Sequence, residues 1–291
     1  MRDTDSQQSP EALVEEALTS ARRIIRYGRK AKKALDSVRR RTPDASNAGE
    51  FFQAHSKLAK LVGKTGSHEL EARLTVWLEA TEAAIEEALY DGRQTVLRSL
   101  RKRAAAKEIP FRKLGDNPTT IGLGPFRVVL EPGKDAQVKL GLEPISEVEA
   151  SADAIFEAMQ QTKALWDERT PPAPELFERI HDAYRVTCAR TSTSPGERVA
   201  LVDLLAPLSF VECDEESLRD QGIDAASAYP RHLLARQLTE LNRRRHLEYE
   251  GVRLELGAAT GGSTSDKSGV LYVQTSAERG QYFLSVRFVR S

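Results

Sequence analysis

The side chains that most often do chemistry are thinly spread in this 291-residue chain. Its five histidines, His55, His68, His181, His232 and His246, show no i, i+4 pair and no Cys-x-x-His spacing of the kind that seats a metal ion. His181 precedes Cys188 by seven residues, about 10 Å of rise along a helix, too far for the imidazole to take the thiol proton. Cys188 sits among Val186 and Ala189 and reads as an apolar filler. Cys213 lies 25 positions further on; two such residues make neither a disulfide framework nor a structural zinc site, so both are expected to be reduced. Gly63-Lys64-Thr65 has the ending of a phosphate-binding loop, but that motif needs a glycine where the chain has Leu58, and no strand precedes it. No catalytic, cofactor-binding or metal-ligating residue is therefore expected.

Asp135, Gln137 and Lys139 carry a faint likeness to the acid-and-lysine pattern of restriction-type nucleases. A metal site there needs a second carboxylate, for which Glu131 is the near candidate. Exposed residues on a small sheet are the simpler reading.

Polyanion contact has more signal. Residues 22–41 hold ten Lys or Arg against the single Asp36. Arg22, Arg23, Arg26, Arg29, Lys30, Lys32 and Lys33 are its candidate phosphate contacts, because neutralised phosphates release counterions whether or not bases are read. Tyr27 is the one aromatic residue there, too few for stacking on single strands. Near the other end, Arg231, His232, Arg236, Gln237, Asn242 and Arg243 to Arg245 share one expected helix, and Arg231, Arg236, Gln237, Arg243 and Arg244 are the candidate contacts to phosphate or base edges. An acidic segment precedes that helix, and Glu212, Asp214, Glu215 and Glu216 are expected to pair with its arginines instead.

Basic and acidic residues number 43 each, yet they are segregated. Residues 1–108 carry 21 basic and 16 acidic groups, 109–140 carry 5 and 3, 141–228 carry 7 and 18, and 229–291 carry 10 and 6. Such asymmetry serves a polyanion or protein partner, or pairs the parts of the chain with one another. There is no apolar run of membrane-spanning length and no signal-peptide pattern, so a cytoplasmic protein is expected.

The elements that must position these groups follow from periodicity. Residues 1–9 are expected to be disordered. Ser9-Pro10-Glu11 opens a helix whose positions 14, 17, 21, 24, 28, 31, 35 and 38 form a small or apolar stripe, running to about Arg41. A short helix through Phe51, Phe52, Leu58, Leu61 and Val62 and a long one from Ser67 to near Lys107 complete a helical arm, 10–107, read as a hairpin or three-helix bundle with coiled-coil-like spacing. Residues 109–169 read as a small antiparallel sheet plus a helix. In that sheet Phe126, Val128 and Leu130 face Val138, Leu140 and Leu142 across the turn at 131–135. Thr170-Pro-Pro-Ala-Pro174 is expected to act as a stiff connector.

Residues 175–291 predict three helices and a closing β-meander, the second helix opening at a capping box over Ser194-Pro-Gly-Glu197. This order of elements resembles a winged-helix domain in outline. The expected fold class is thus α+β and mostly helical: a long-helix arm, a small central antiparallel sheet, and a winged-helix-like C-terminal domain ending in a β-meander. The expected function is a non-catalytic adaptor or accessory subunit of a bacterial multiprotein assembly, docking other protein subunits through long helices and charged surfaces. The alternative is a double-stranded DNA-binding protein that uses the C-terminal domain and the basic N-terminal helix. No cofactor and no membrane contact are expected, and the sequence does not set the oligomeric state.

Overall fold

The computed structural model describes residues 10–213, 215–221, 227–244, 246–260, 267–275 and 280–290, apart from the side chains at 10–13, 215, 218, 221 and 267. The segment 1–9 expected to be disordered, and residues 261–266 of the Gly- and Ser-rich connection, lie outside them. The fold is α+β with antiparallel sheets, and the chain divides into two compact units. One comprises 1–102 with 131–134; the other comprises 103–130 with 135–291. The Pro-rich segment at 170–174 therefore does not separate compact units, and the small sheet and the C-terminal segment belong to the same one.

The first unit is built from α1 (Pro10–Ser37), α2 (Ala48–Ala59) and α3 (His68–Ala106), whose last turn falls in the second unit. Ala31 and Ala34 of α1 pack with Leu58, Leu61 and Leu74, and Val38 packs with Phe51, Ala54 and Ile85. Small residues let the α1 backbone come close to its neighbours, as the thin stripe predicts. α1 stops before Arg41: Arg40 has φ 61°, which a helix cannot contain, and the Ser37 hydroxyl donates to the Ala34 carbonyl at 2.7 Å. The Gly63-Lys64-Thr65 turn is a helix cap. Thr65 is fully buried, its N–H and hydroxyl both donate to Glu71, and Ser67 accepts from the Leu70 N–H at 3.4 Å.

The second unit opens with a five-stranded meander, β1 (Phe111–Asp116), β2 (Thr119–Leu123), β3 (Phe126–Leu130), β4 (Ala136–Leu140) and β5 (Glu143–Val148), each strand antiparallel to the next. Ile121, Val128 and Val138 lie in register on its buried face. Leu142 does not join them. The strand ends at Leu140, Gly141 turns the chain at φ 59°, and Leu142 is exposed. Then come α4 (Ala152–Arg169), capped by Ser151, and α5 (Ala173–Thr191). Trp166 of α4 stacks on Phe126 of β3 with centroids 5.0 Å apart.

After α5 the sequence predicted a helix from the capping box. Half of that box forms, with Glu197 accepting from the Ser194 N–H at 3.0 Å. Gly196, however, has φ 95°, and the Tyr184 hydroxyl pins the turn by accepting from the Gly196 N–H and donating to the Glu197 carbonyl. The chain leaves as strand β6 (Val199–Ala200) and a 3-10 turn before α6 (Leu205–Val211). α7 (Glu215–Gln221) and α8 (Arg231–Arg243) follow, then β7 (Glu248–Tyr249), β8 (Val252–Ala258), β9 (Leu271–Gln274) and β10 (Gly280–Arg290). The second sheet has the order β6-β10-β8-β7, and β9 also pairs with β10.

Candidate functional site

α8 carries the side chains expected to read DNA, and it is an interior helix. Leu233, Leu234, Ala235, Leu238 and Leu241 are all buried, so apolar groups cover most of its circumference. Gln237 is 0 % exposed. Its Oε1 accepts from the Tyr229 hydroxyl at 2.5 Å and its Nε2 donates to the Arg169 carbonyl at 2.8 Å. A buried amide bonded through both its oxygen and its nitrogen is not available to a base edge, which corrects its place among the candidate contacts.

Arg231 is also spent internally. Its Nε donates to the Glu143 carboxylate at 3.2 Å, Nη1 donates to the Ser268 carbonyl at 2.9 Å, and Nη2 bonds the Val270 carbonyl. Glu143 is 2 % exposed and accepts in addition from the Tyr272 N–H at 2.5 Å. The pair ties the last strand of the meander to α8 and β9, a positioning role in place of the expected phosphate contact.

Arg236, Arg243 and Arg244 converge on Glu240 of their own helix, at 3.5, 2.8 and 2.6 Å. Burial opposes ionisation of that carboxyl, but the three guanidinium groups outweigh it and hold its pKa below the usual range. Arg236 also lies over the Trp166 ring, 5.7 Å from its centroid. Neither of the expected acidic residues whose side chains are described pairs with these arginines. Glu212 is held by Arg169, Glu216 is exposed, and Asp214 and the Glu215 side chain lie outside the described residues, as does Arg245. The sequence signal for Glu240 as the local counter-ion was its i, i+4 spacing from Arg236 and Arg244.

α1 presents the opposite picture. Arg22, Arg23, Arg26, Arg29, Lys30, Lys32 and Lys33 are all exposed, as expected of a helix that meets a partner or solvent. Lys32 pairs with Asp36 at 2.8 Å, and Lys30 lies over the Tyr27 ring. Between these charges runs an apolar stripe that the unit's own core does not cover: Val14 is 58 %, Leu18 42 % and Ile25 55 % exposed. A Cβ built at Gly28 would meet nothing within 4 Å, so the stripe continues over an open backbone.

No protein-family model, curated protein or solved structure matches this chain. No helix among the described residues is long and apolar enough to cross a membrane.

One feature went unmarked in the sequence. Arg112, Gly122, Arg127 and Lys139 fall in one cross-strand row on the solvent side of the meander, beside a cavity of about 510 Å³ that Tyr272 and Gln274 also line. The available signal was that β1, β3 and β4 each carry a basic residue, Arg112, Arg127 and Lys139. Asp135, Gln137 and Lys139 gather no metal site: Gln137 bonds Glu147, Glu131 pairs with Lys134, and the described residues contain no cluster of three His, Cys, Asp or Glu.

Proposed function

We propose that this chain is a non-catalytic adaptor or accessory subunit that docks other protein subunits. The observation that carries the reading is the apolar stripe Val14, Leu18 and Ile25, left in solvent along a 28-residue helix and flanked by seven exposed basic side chains. Isolated apolar side chains on a surface are ordinary, whereas an ordered row at helical spacing is what a partner helix buries. The C-terminal segment supports a winged-helix-like reading. Its order is α5, β6, α6, α7, α8, β7, β8, β9, β10, with β10 between β6 and β8, and α8 is turned inward, which suits a docking module better than a DNA reader.

The test is affinity purification from the native host with wild type and with Leu18→Asp/Ile25→Asp, followed by reconstitution from purified components. The adaptor reading expects a stoichiometric complex that the variant loses. It fails if no protein assembles with the wild type, or if the assembly ignores both substitutions. The DNA-binding alternative keeps the exposed basic residues of α1 as its one specific support.

A further inference from the structure

We infer that α1 pairs antiparallel with α1 of a second copy of the chain. This rests on reading α1 as a docking helix and names its partner. Val14, Leu18, Ala21, Ile25 and Gly28 are separated by four, three, four and three residues, the alternating spacing of a two-helix seam. Ala21 is exposed like its neighbours on the stripe. The other edge of the helix is already committed: Ala31, Ala34 and Val38 are buried in the unit's core, and the side chain of Ile24 lies against the Gly66 turn. A partner helix therefore has one open groove to enter.

Charge decides what enters it. Along the open edge of the seam the exposed residues are Glu15, Arg22 and Arg29. If a second α1 runs antiparallel so that Val14 meets Ile25 and Leu18 meets Ala21, every apolar layer occurs twice about the two-fold axis. In that register the positions flanking the seam bring Glu15 of each copy against Arg22 of the other, so two opposite-charge pairs form at once. A parallel arrangement would set Arg22 beside Ala17 and Glu15 beside Pro10, with no such pairing. The acid-then-base order of this helix thus complements itself only when reversed. The segment shared in that register, 14 to 25, is about 18 Å long. A contact of that length lies at the small end of specific interfaces, which predicts a dimer that dissociates at micromolar concentrations.

The experiment is sedimentation velocity on the full chain from about 1 to 200 µM, with circular dichroism to confirm folding of each variant. Wild type should pass from monomer to dimer across this range. Leu18→Asp/Ile25→Asp should stay monomeric throughout. Glu15→Arg alone and Arg22→Glu alone should each weaken the dimer by at least about tenfold, since like charges then meet twice. The double variant Glu15→Arg/Arg22→Glu should recover it, an outcome that damaged folding cannot imitate. A wild type that is monomeric at 200 µM, or a double variant no better than the singles, overturns the inference. So does wild type that binds anionic lipid vesicles through α1 without self-associating. If a monomeric wild type still captures a different protein and loses it with Leu18→Asp, self-pairing fails while the adaptor reading stands. If neither association occurs, both fail.

Discussion

The indole Nε1–H of Trp166 donates a hydrogen bond to Nδ1 of His232 at 3.1 Å. An indole N–H can only donate, so Nδ1 is the acceptor and the imidazole is neutral with its proton on Nε2. Burial, and after it the Arg169 guanidinium, pushes the His232 pKa down to about 4 from its ordinary 6.5. The unfolded chain therefore binds a proton that the folded chain refuses as pH falls from 6.5 towards 4. The stabilisation is complete above 6.5 and is lost through that window. Thermal melts at pH 7.5 and 4.5 should differ by up to about 2 kcal/mol from this group, after discounting for partial solvent screening. His232→Gln should flatten that part of the dependence; an unchanged difference between the two pH values in the variant would exclude His232 as its source.

Gln237→Ala removes a buried amide that both accepts from Tyr229 and donates to the Arg169 carbonyl. Two buried groups lose their partner, so the loss should be about 2–3 kcal/mol, compared with about 0.5 kcal/mol for truncating an exposed polar residue. Urea unfolding midpoints at constant m-value decide between the two.

Arg231→Ala should destabilise by about 2–3 kcal/mol, because it strands the Glu143 carboxylate in a site that is almost closed to water. Arg231→Met combined with Glu143→Met should cost less than the sum of the single losses, since it removes both charges together. Additive losses in a double-mutant cycle would mean that the two side chains do not act as a pair.

Duplex DNA discriminates the alternative function. If α1 meets phosphates, a gel shift at low salt should vanish when Arg22, Arg23, Arg26, Arg29, Lys30, Lys32 and Lys33 are all changed to Glu, and it should persist when Arg243 and Arg244 are changed to Ala. Absence of any shift with wild type at 50 mM salt would end the nucleic-acid reading of α1. Sequence-selective binding lost on Arg236→Ala would overturn the interior assignment of α8.

Elements with a strong period were legible in the sequence. The sheet and helix expected over 109–169 both form, α4 closing that stretch at Arg169, and the β3–β4 hairpin pairs Phe126 with Leu140 and Val128 with Val138. What escaped was short or non-local. β6 spans two residues and exists because β10, over 80 positions away, supplies its ladder. β1 is an edge strand with mostly exposed side chains and so has no apolar alternation to detect. The use of Arg231 was hidden for the same reason, since it depends on Glu143, 88 positions earlier in the chain; Glu240, four residues from both Arg236 and Arg244, was instead a local signal.

β10 is the hub of the second sheet, bonded to β6, β8 and β9. All three of those strands precede it in the chain, and among the described residues β6 and β9 pair only with β10. During synthesis, β6 and β9 must wait with open ladders until residues 280–290 have left the ribosome. The native sheet of this unit is thus assembled after translation has passed its last strand, whereas α1, α2 and the body of α3 have all the sequence they need for their own packing some 180 residues earlier.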